Sequence, residues 1–201
     1  MGETSEILVR VGAEEDLEAL TDIYNHYVRE SPATFDTEPF TPEERRDWLL
    51  SHLEDGPYRL LVALRRGQDQ KDPGKHDGSG RSGGTPAAAG GGGPASGQLL
   101  GYATSSQFRP RAAYSTSVET SVYLAPGASG LGVGSLLYGR LFAALEGQDL
   151  HRAYAGITVP NDASVRLHKR FGFELVGTYH EAGRKFGRYY DVQRYEKPLG
   201  P

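Results

Sequence analysis

A glycine-rich loop stands where a β-rich run of the chain gives way to a helical pattern. Residues 126–135 read PGASGLGVGS, directly after the apolar run 118–124, and Leu137, Leu141 and Leu145 then follow at helical spacing. Glycines let backbone amides approach a ligand closely, and a helix N-terminus adds a partial positive charge. The pattern therefore predicts a site for an anionic group such as a pyrophosphate.

This loop does not fit the two common nucleotide motifs. Gly127 and Gly132 have the separation of the glycines in a Walker A loop, but Val133 and Gly134 stand where a lysine and a serine or threonine are required. The dinucleotide pattern needs a glycine where this chain has Ser135. Neither motif explains the loop.

Glu119 is the candidate general base on the strand before the loop. Alternation places it with Ser121 and Tyr123 on the face opposite Val118 and Thr120. We expect burial beside apolar walls to make this carboxylate a stronger base than an exposed one. The residues alone also allow a solvated carboxylate on an outward strand face.

Composition excludes several kinds of chemistry. The absence of Cys removes thiolate metal sites and a cysteinyl acyl-enzyme intermediate. A net charge of -4 and a pI near 5.9 provide no basic surface for nucleic acid. The chain has no apolar signal segment and no run of 18 apolar residues. We expect a cytoplasmic protein with no metal, nucleic-acid or membrane partner.

The order of predicted elements favours one α/β (α+β) domain over residues 1–201. Hydrophobic periodicity predicts strands at 7–11, 58–64, 99–105, 118–124, 152–159, 173–179 and 189–196. It predicts helices at about 13–29, from a Thr41 cap to near Gly56 and Pro57, at about 132–146 and at about 162–171.

One low-complexity segment lies between two strands that are predicted to pair. Residues 67–98 contain no Leu, Ile, Val, Phe, Tyr or Trp and hold 11 of the 27 glycines. Such a segment cannot bury enough apolar surface to offset its ordering entropy. We expect a disordered insertion in a hairpin loop, and a tether with a binding role is the alternative.

Longer runs of the chain carry a family resemblance. The runs SVYLAPGASGLGVGSLLYGRL and VPNDASVRLHKRFGFELVG resemble the GCN5-related N-acetyltransferase (GNAT) superfamily, whose pyrophosphate loop is Q/R-x-x-G-x-G/A. The runs IYNHYVRESPATFDTEPFTPEERRDW, YSTSVETSVYLAP and HEAGRKFGRYYDV are similar to its phosphinothricin acetyltransferase subfamily. The resemblance covers the chain except for 67–98. It implies acetyl-CoA, a mixed and mostly antiparallel sheet flanked by helices, and a homodimer.

The resemblance also implies a reaction and three residues that perform it. The amine of a small anionic amino acid, such as phosphinothricin or methionine sulfone, would attack the thioester directly. A base is needed because an α-amino group with a pKa of about 8 is mostly protonated at neutral pH. Glu119 matches this base, His168 an assisting base or relay, and Tyr138 a donor to the leaving thiolate or oxyanion. A core tyrosine and a helix-surface histidine are the alternatives for the last two.

Cofactor-binding residues follow from the same resemblance. Ser129 and Gly130 replace the usual Gln/Arg and arginine of the loop, so we expect backbone amides alone to bind the pyrophosphate, with lower affinity. Asn161 is expected to cap the next helix and to bond the pantetheine arm. The full expected set is Val122, Tyr123, Leu124, Ser129, Gly130, Gly132, Val133, Gly134, Ser135, Asn161 and Ser164.

The acceptor pocket of a glutamate-like substrate needs cations. Arg109, Arg111 and Tyr114 match the acceptor-binding loop of the subfamily, and Phe35 and Lys185 are weaker members of the same expected pocket. Solvated loop arginines are the alternative. Two rival functions also stay open. One is acetylation of another amine, such as an aminoglycoside, a polyamine or a protein N-terminus. The other is a non-catalytic acyl-CoA-binding domain.

Overall fold

The computed structural model describes residues 6–66 and 97–200, which build one seven-stranded sheet in the order β1-β2-β3-β4-β5-β7-β6. The strands are β1 (Ile7–Val11), β2 (Arg59–Arg66), β3 (Gly97–Gln107), β4 (Ser117–Leu124), β5 (Arg152–Val159), β6 (Glu174–Lys185) and β7 (Arg188–Pro198). The helices are α1 (Leu17–Glu30), α2 (Pro42–Leu50), α3 (Val133–Leu145) and α4 (Asp162–Arg170). Neighbouring strands are antiparallel except β4 and β5. The predicted mixed, mostly antiparallel sheet is confirmed.

The two faces of the sheet are covered by different helices. Helix α3 packs against one face, where Leu137 and Leu141 are fully buried. Helices α1 and α2 cover the other face through Leu20 and Leu49. Strand β2 contributes to both clusters because its apolar side chains alternate between the faces. Each fully buried large apolar side chain contributes about 1.5–3 kcal/mol of transfer free energy.

Strands β4 and β5 pair only at one end. Their parallel register runs from Ser117 opposite Arg152 to Glu119 opposite Tyr154. Beyond Glu119 the strands have no paired residues in the described part of the chain, although β4 continues to Leu124 and β5 to Val159. The sheet is therefore split by a wedge at its centre.

Helix α2 begins as predicted and ends earlier than predicted. Thr41 Oγ1 accepts from the Glu44 amide at 3.3 Å, and Glu44 Oε2 accepts from the Thr41 amide at 2.8 Å. This is a capping box, followed by Pro42 in the first turn. The prediction that the helix reaches Gly56 is wrong. Leu53 is 64% exposed, so no buried apolar face extends the helix beyond Leu50.

The expected insertion lies almost entirely outside the described residues, which omit 67–96. Its last two positions are described, and there the prediction is wrong. Gly97 and Gln98 begin β3, opposite Arg66 and Arg65. The backbone ladder of the hairpin reaches farther than the apolar residues from which the boundary was inferred.

Candidate active site

The wedge cleft is a cavity of about 410 Å³ between β4 and β5. Residues 120–124 form one wall, and Gly156, Ile157 and Thr158 form the other. Asn161, Ser164 and His168, at the start of α4 and along it, also line the cavity. An elongated ligand entering here would meet strand edges whose backbone groups have no strand partner on the cleft side.

The backbone of β4 is not equally open along this wall. The Tyr27 hydroxyl donates to the Leu124 carbonyl at 2.9 Å and accepts from the Leu124 amide at 3.2 Å. Leu124 is therefore already hydrogen-bonded, contrary to the expectation that its backbone meets the cofactor. Backbone groups alternate sides along a strand, so Val122 faces the cleft like Leu124, whereas the backbone of Tyr123 faces β3. Of the three expected residues, only Val122 keeps the strand-addition geometry that was expected for a pantetheine arm.

The glycine loop needs its glycines for two different reasons. Gly130 and Gly132 have φ angles of +81° and +79°, which is the left-handed region, and no atom lies within 4 Å of an added Cβ. At Gly134 an added Cβ would lie 3.2 Å from Leu167, because α3 packs closely against α4. Ser129 lines the wedge cleft. The loop thus ends at the first turn of α3, where backbone amides have no partner within the helix.

A cation that the sequence analysis missed lies beside this helix start. Arg170 Nη1 donates to Ser135 Oγ at 3.1 Å, in the first turn of α3. Arg170 is at the end of α4, so only tertiary packing brings it to the loop. A guanidinium therefore lies beside the backbone amides at the start of α3.

Asn161 caps α4 as predicted, since its Oδ1 accepts from the Ser164 amide at 3.1 Å. Among the expected cofactor residues, Val122, Tyr123, Leu124, Ser129, Asn161 and Ser164 line the wedge cleft. The other five, Gly130, Gly132, Val133, Gly134 and Ser135, lie in the loop and the first turn of α3. A cofactor with a pyrophosphate and a long arm fits this arrangement of free amides, split strands and Arg170.

His168 and Tyr138 are in direct contact. His168 Nδ1 lies 2.8 Å from the Ser164 carbonyl, which can only accept, so this nitrogen carries the proton. Nε2 then accepts from the Tyr138 hydroxyl at 2.9 Å. Burial lowers the pKa of His168 and raises the pKa of Tyr138. Both groups are therefore uncharged at neutral pH.

Tyr138 lies behind the cleft wall and not in it. Its side chain is fully buried in the α3 core, and Thr120 and His168 separate it from the cavity that they line. The expected direct donation to a thiolate or oxyanion is thus not supported by its position. Leu137 and Leu141 are buried on the same side of α3, so this face of the helix, with Tyr138, packs into the core.

Glu119 lines a second space, the aromatic cavity, of about 350 Å³. The cavity has walls of Tyr24, Phe40, Trp48, Tyr102 and Tyr123, with Asp36, Glu44, Arg45, Thr104, Ser106, Glu119 and Ser121 as its polar residues. Ser121 and Tyr123 line the wedge cleft as well. The predicted sharing of one strand face by Glu119, Ser121 and Tyr123 is confirmed.

The aromatic side chains of this cavity provide the apolar walls expected around Glu119, but the carboxylate also has a charged partner that was not expected. Arg194 Nη1 donates to Glu119 Oε1 at 2.8 Å. The carboxylate side chain is 36% exposed and the arginine 20%. An ion pair of this kind holds the carboxylate in one orientation.

The expected acceptor residues are not brought together. Arg109, Arg111 and Tyr114 lie on the exposed loop between β3 and β4, outside the lining of both cavities. Phe35 packs on the hairpin of β6 and β7, where an added Cβ at Gly183 would lie 2.5 Å from its ring. The signals for this set were the subfamily resemblance and the need of an anionic acceptor for cations.

Lys185 has a different environment from the expected one. It is 4% exposed, and its Nζ donates to the carbonyls of Tyr27, Ser31 and Thr34 at 3.2, 2.8 and 2.8 Å. All three ammonium hydrogens are therefore used, and none is left for a substrate. Burial lowers the pKa of Lys185. The side chain ties β6 to the C-terminal end of α1.

Two negative findings concern the part of the chain that the structure describes. Within residues 6–66 and 97–200, no group of three or more His, Asp or Glu side chains could hold a metal ion. No helix in these ranges is long and apolar enough to cross a membrane.

Known proteins with similar sequences and structures include many acetyltransferases. The family model of the acetyltransferase (GNAT) domain matches residues 94–193. Phosphinothricin N-acetyltransferase of Streptomyces coelicolor is 61% identical, over 98% of each chain. The L-methionine sulfoximine/L-methionine sulfone acetyltransferase of Pseudomonas paraeruginosa is 30% identical, over 96% of this chain and 95% of that protein.

A solved structure shows the same fold. The GNAT superfamily phosphinothricin acetyltransferase of Sinorhizobium meliloti, in complex with acetyl-CoA, has a TM-score of 0.71 and 30% identity over 96% of this chain and 89% of its own. The alternative of a non-catalytic domain is not favoured by these relatives, which are named as enzymes. The split strands, the glycine loop and these similarities together show that the chain belongs to the GNAT acetyltransferase family and is an acetyl-CoA-dependent N-acetyltransferase.

Proposed function

We propose that the enzyme acetylates the amino group of a small anionic amino acid of the phosphinothricin or methionine sulfone type, by direct attack in a ternary complex. The observation that carries this proposal is the meeting of two cavities at β4. The wedge cleft and the aromatic cavity share Ser121 and Tyr123, and Glu119 lines only the second. An acceptor amine in the aromatic cavity would approach the cleft beside the Glu119 side chain.

Glu119 is the proposed base for this attack. The bound acetyl thioester supplies the electrophile, and the amine must lose a proton to become an amide. Arg194 holds the carboxylate at 2.8 Å and so limits its rotation. Direct attack also agrees with a chain that has no Cys to carry the acetyl group.

His168 and Tyr138 are proposed as positioning residues. Ser164 and Tyr138 occupy both ring nitrogens of His168, which leaves no nitrogen to take the amine proton directly. The imidazole instead forms a fixed wall of the wedge cleft beside Thr120. His168 and Tyr138 would therefore hold the wall of the reaction site in place and would not transfer protons themselves.

Binding of acetyl-CoA is assigned to two regions of the chain. Free amides at the start of α3, with Ser129, Gly130 and Gly132 before them, would hold the pyrophosphate next to Arg170. The unpaired side of β4 at Val122, with Asn161 and Ser164 of the α4 start and the Tyr123 side chain in the cleft wall, would hold the arm.

Arg109 and Arg111 are proposed to attract the acceptor and not to hold it. Ser106 on β3 and Glu119 on β4 are register partners, and both line the aromatic cavity. The loop that carries the two arginines connects these strands. Exposed cations near the mouth of a site raise the local concentration of an anion, and salt screens this effect. Tyr114 lies on the same loop.

The test is thiol release from acetyl-CoA with phosphinothricin, methionine sulfone, amino acids, polyamines and an aminoglycoside. Wild type should turn over the anionic amino acids, and Glu119→Gln should lower kcat at neutral pH about 100- to 10,000-fold. The KM for acetyl-CoA should not change. Preference for a polyamine or an aminoglycoside would contradict the acceptor class, and full activity of Glu119→Gln would contradict the base.

We also propose that the protein is a single domain, is cytoplasmic, and binds no nucleic acid or membrane. We propose further that it forms a homodimer through the outer edge of the sheet. The net charge is -4, and β6 is an edge strand that exposes Val176 by 61% and Tyr179 by 58%. An exposed apolar edge of this kind favours association. Light scattering should show twice the chain mass for wild type and one chain mass for a Val176→Lys, Tyr179→Lys double variant. A monomeric wild type would exclude the homodimer.

A further inference from the structure

Arg45 is a buried cation in the wall of the aromatic cavity. It is 6% exposed, and its guanidinium carbon lies 4.0 Å from the ring centroid of Trp48 and 4.2 Å from that of Tyr24. Its one hydrogen bond within the described residues goes from Nη1 to the Leu20 carbonyl, at 3.4 Å. A guanidinium has five N–H donors, so most of its hydrogen-bonding capacity is left for another partner.

The carboxylates of the aromatic cavity do not satisfy this charge. Glu119 is paired with Arg194, Glu44 is bonded to the Thr41 amide, and Asp36 accepts a hydrogen bond from Tyr24. None of the carboxylates in the described ranges lies within 4.0 Å of the Arg45 nitrogens. A buried cation without an anion is costly, and an incoming anion would relieve that cost.

Tyr102 adds an unpartnered hydroxyl to the same wall. Its side chain is 1% exposed, it lines the aromatic cavity, and its Oη has no hydrogen-bond partner among the described residues. Burial raises the pKa of Tyr102, against the opposing effect of the nearby Arg45, so the phenol stays protonated. The Tyr102 hydroxyl and the nearby Arg45 guanidinium thus line the same cavity, and neither is bonded to a carboxylate of the described residues.

We infer that Arg45 and Tyr102 form the subsite that binds the anionic group of the acceptor amino acid. The acceptor amine then lies toward Glu119, on the same cavity wall. Arginine provides planar, paired donors for a carboxylate or phosphinate, and the rings of Trp48 and Tyr24 keep the guanidinium in place. This inference rests on the proposed function, because it names the recognition element of that acceptor class.

The first test measures acceptor kinetics at saturating acetyl-CoA in Arg45→Met. The KM for phosphinothricin should rise about 10- to 100-fold, because a charge-assisted hydrogen bond is lost. The KM for acetyl-CoA should not change, and the ratio of kcat/KM for phosphinothricin to kcat/KM for n-butylamine, which has no anionic group, should fall. Arg46→Met, on the exposed side of the same helix, is the matched control and should keep the wild-type KM values.

The second test uses Tyr102→Phe, which separates binding from folding. The change removes an unsatisfied buried hydroxyl, so the free protein should be as stable as wild type or more stable. The KM for phosphinothricin should nevertheless rise several-fold, because the bound anion loses a donor. A purely structural tyrosine would leave this KM unchanged, and the test remains decisive even if Arg45→Met fails to fold.

The outcomes distinguish the subsite from the proposed function. Wild-type turnover of phosphinothricin with unchanged KM in Arg45→Met and Tyr102→Phe overturns the subsite and leaves the function in place. If wild type prefers alkylamines, the proposed function is wrong, and calorimetric binding of phosphinothricin to the protein–CoA complex decides the subsite. Binding by wild type that is lost in Arg45→Met and Tyr102→Phe supports it. Equal binding, or none by wild type, overturns it.

Discussion

Arg194 reaches Glu119 across a glycine. Arg194 on β7 is the register partner of Gly156 on β5, and its Nη1 continues to Glu119 Oε1 on β4, at 2.8 Å. A Cβ added at Gly156 would lie 2.6 Å from this Nη1. The glycine therefore leaves the space through which an arginine two strands away orients the proposed base.

Gly156→Ala should move Arg194 without disturbing the fold. The added methyl meets the flexible end of a side chain, so the free energy of unfolding should change by less than about 1 kcal/mol. Loss of the orienting contact should lower kcat about 10- to 100-fold. Gly139→Ala, where an added Cβ meets no atom within 4 Å, is the control and should keep full kcat. Equal kcat in both variants would show that Arg194 does not orient the base.

Tyr138→Phe should destabilise the protein, unlike the same change at Tyr102. It leaves His168 Nε2 buried without its 2.9 Å donor, which costs about 1–3 kcal/mol. Urea unfolding followed by circular dichroism measures the difference between the two variants. Equal stabilities would argue against the hydrogen bond between Tyr138 and His168.

Stability should fall as the pH drops below about 6.5, the ordinary histidine pKa. Burial lowers the pKa of His168 and of His52 in the folded protein. Between each lowered pKa and 6.5 the unfolded chain binds more protons, so stability is present above 6.5 and is lost as the pH falls. His52→Gln should flatten the pH dependence of the unfolding free energy, and His151→Gln, at an exposed position, should not. A pH dependence that is identical in all three proteins would contradict this origin.

Lys185→Met should loosen the hairpin of β6 and β7 from α1. Three hydrogen bonds from one ammonium group are lost, and buried carbonyls are left without a donor. We expect a loss of about 3 kcal/mol in the free energy of unfolding. Lys169→Met, on the exposed side of α4, should change stability by less than about 0.5 kcal/mol. A loss of acceptor binding without a loss of stability would instead favour the role expected from the sequence.

Residues 67–96 should be dispensable for folding and acetylation. Arg66 and Gly97 are register partners at the ends of β2 and β3, so an Asn-Gly turn can join them. A shorter loop lowers the entropy of closure, and the free energy of unfolding should rise by about 1–2 kcal/mol. Loss of kcat in a stably folded deletion variant would support the alternative of a tether with a binding role.

Local patterns predicted much of the fold. Strands β1 and β5 lie at the predicted boundaries, Thr41 and Asn161 cap their helices, and β2 pairs with β3. These features depend on near neighbours in the chain, since alternation, capping and turn chemistry act over a few residues. Boundaries without an apolar signal, such as the end of α2 and the start of β3, were not predicted correctly.

The amino-acid sequence alone specified the strand that carries Glu119, the glycine loop that ends in a helix, and a chain without Cys, in which no cysteinyl acyl-enzyme can form. It could not specify which distant charges meet. Arg194 at Glu119, Arg170 at the start of α3, Arg45 in the aromatic cavity and Lys185 at the end of α1 all owe their partners to packing between elements far apart in the chain. The energy of a charge depends on burial and on its nearest partners, and both exist only once the sheet and its helices have assembled.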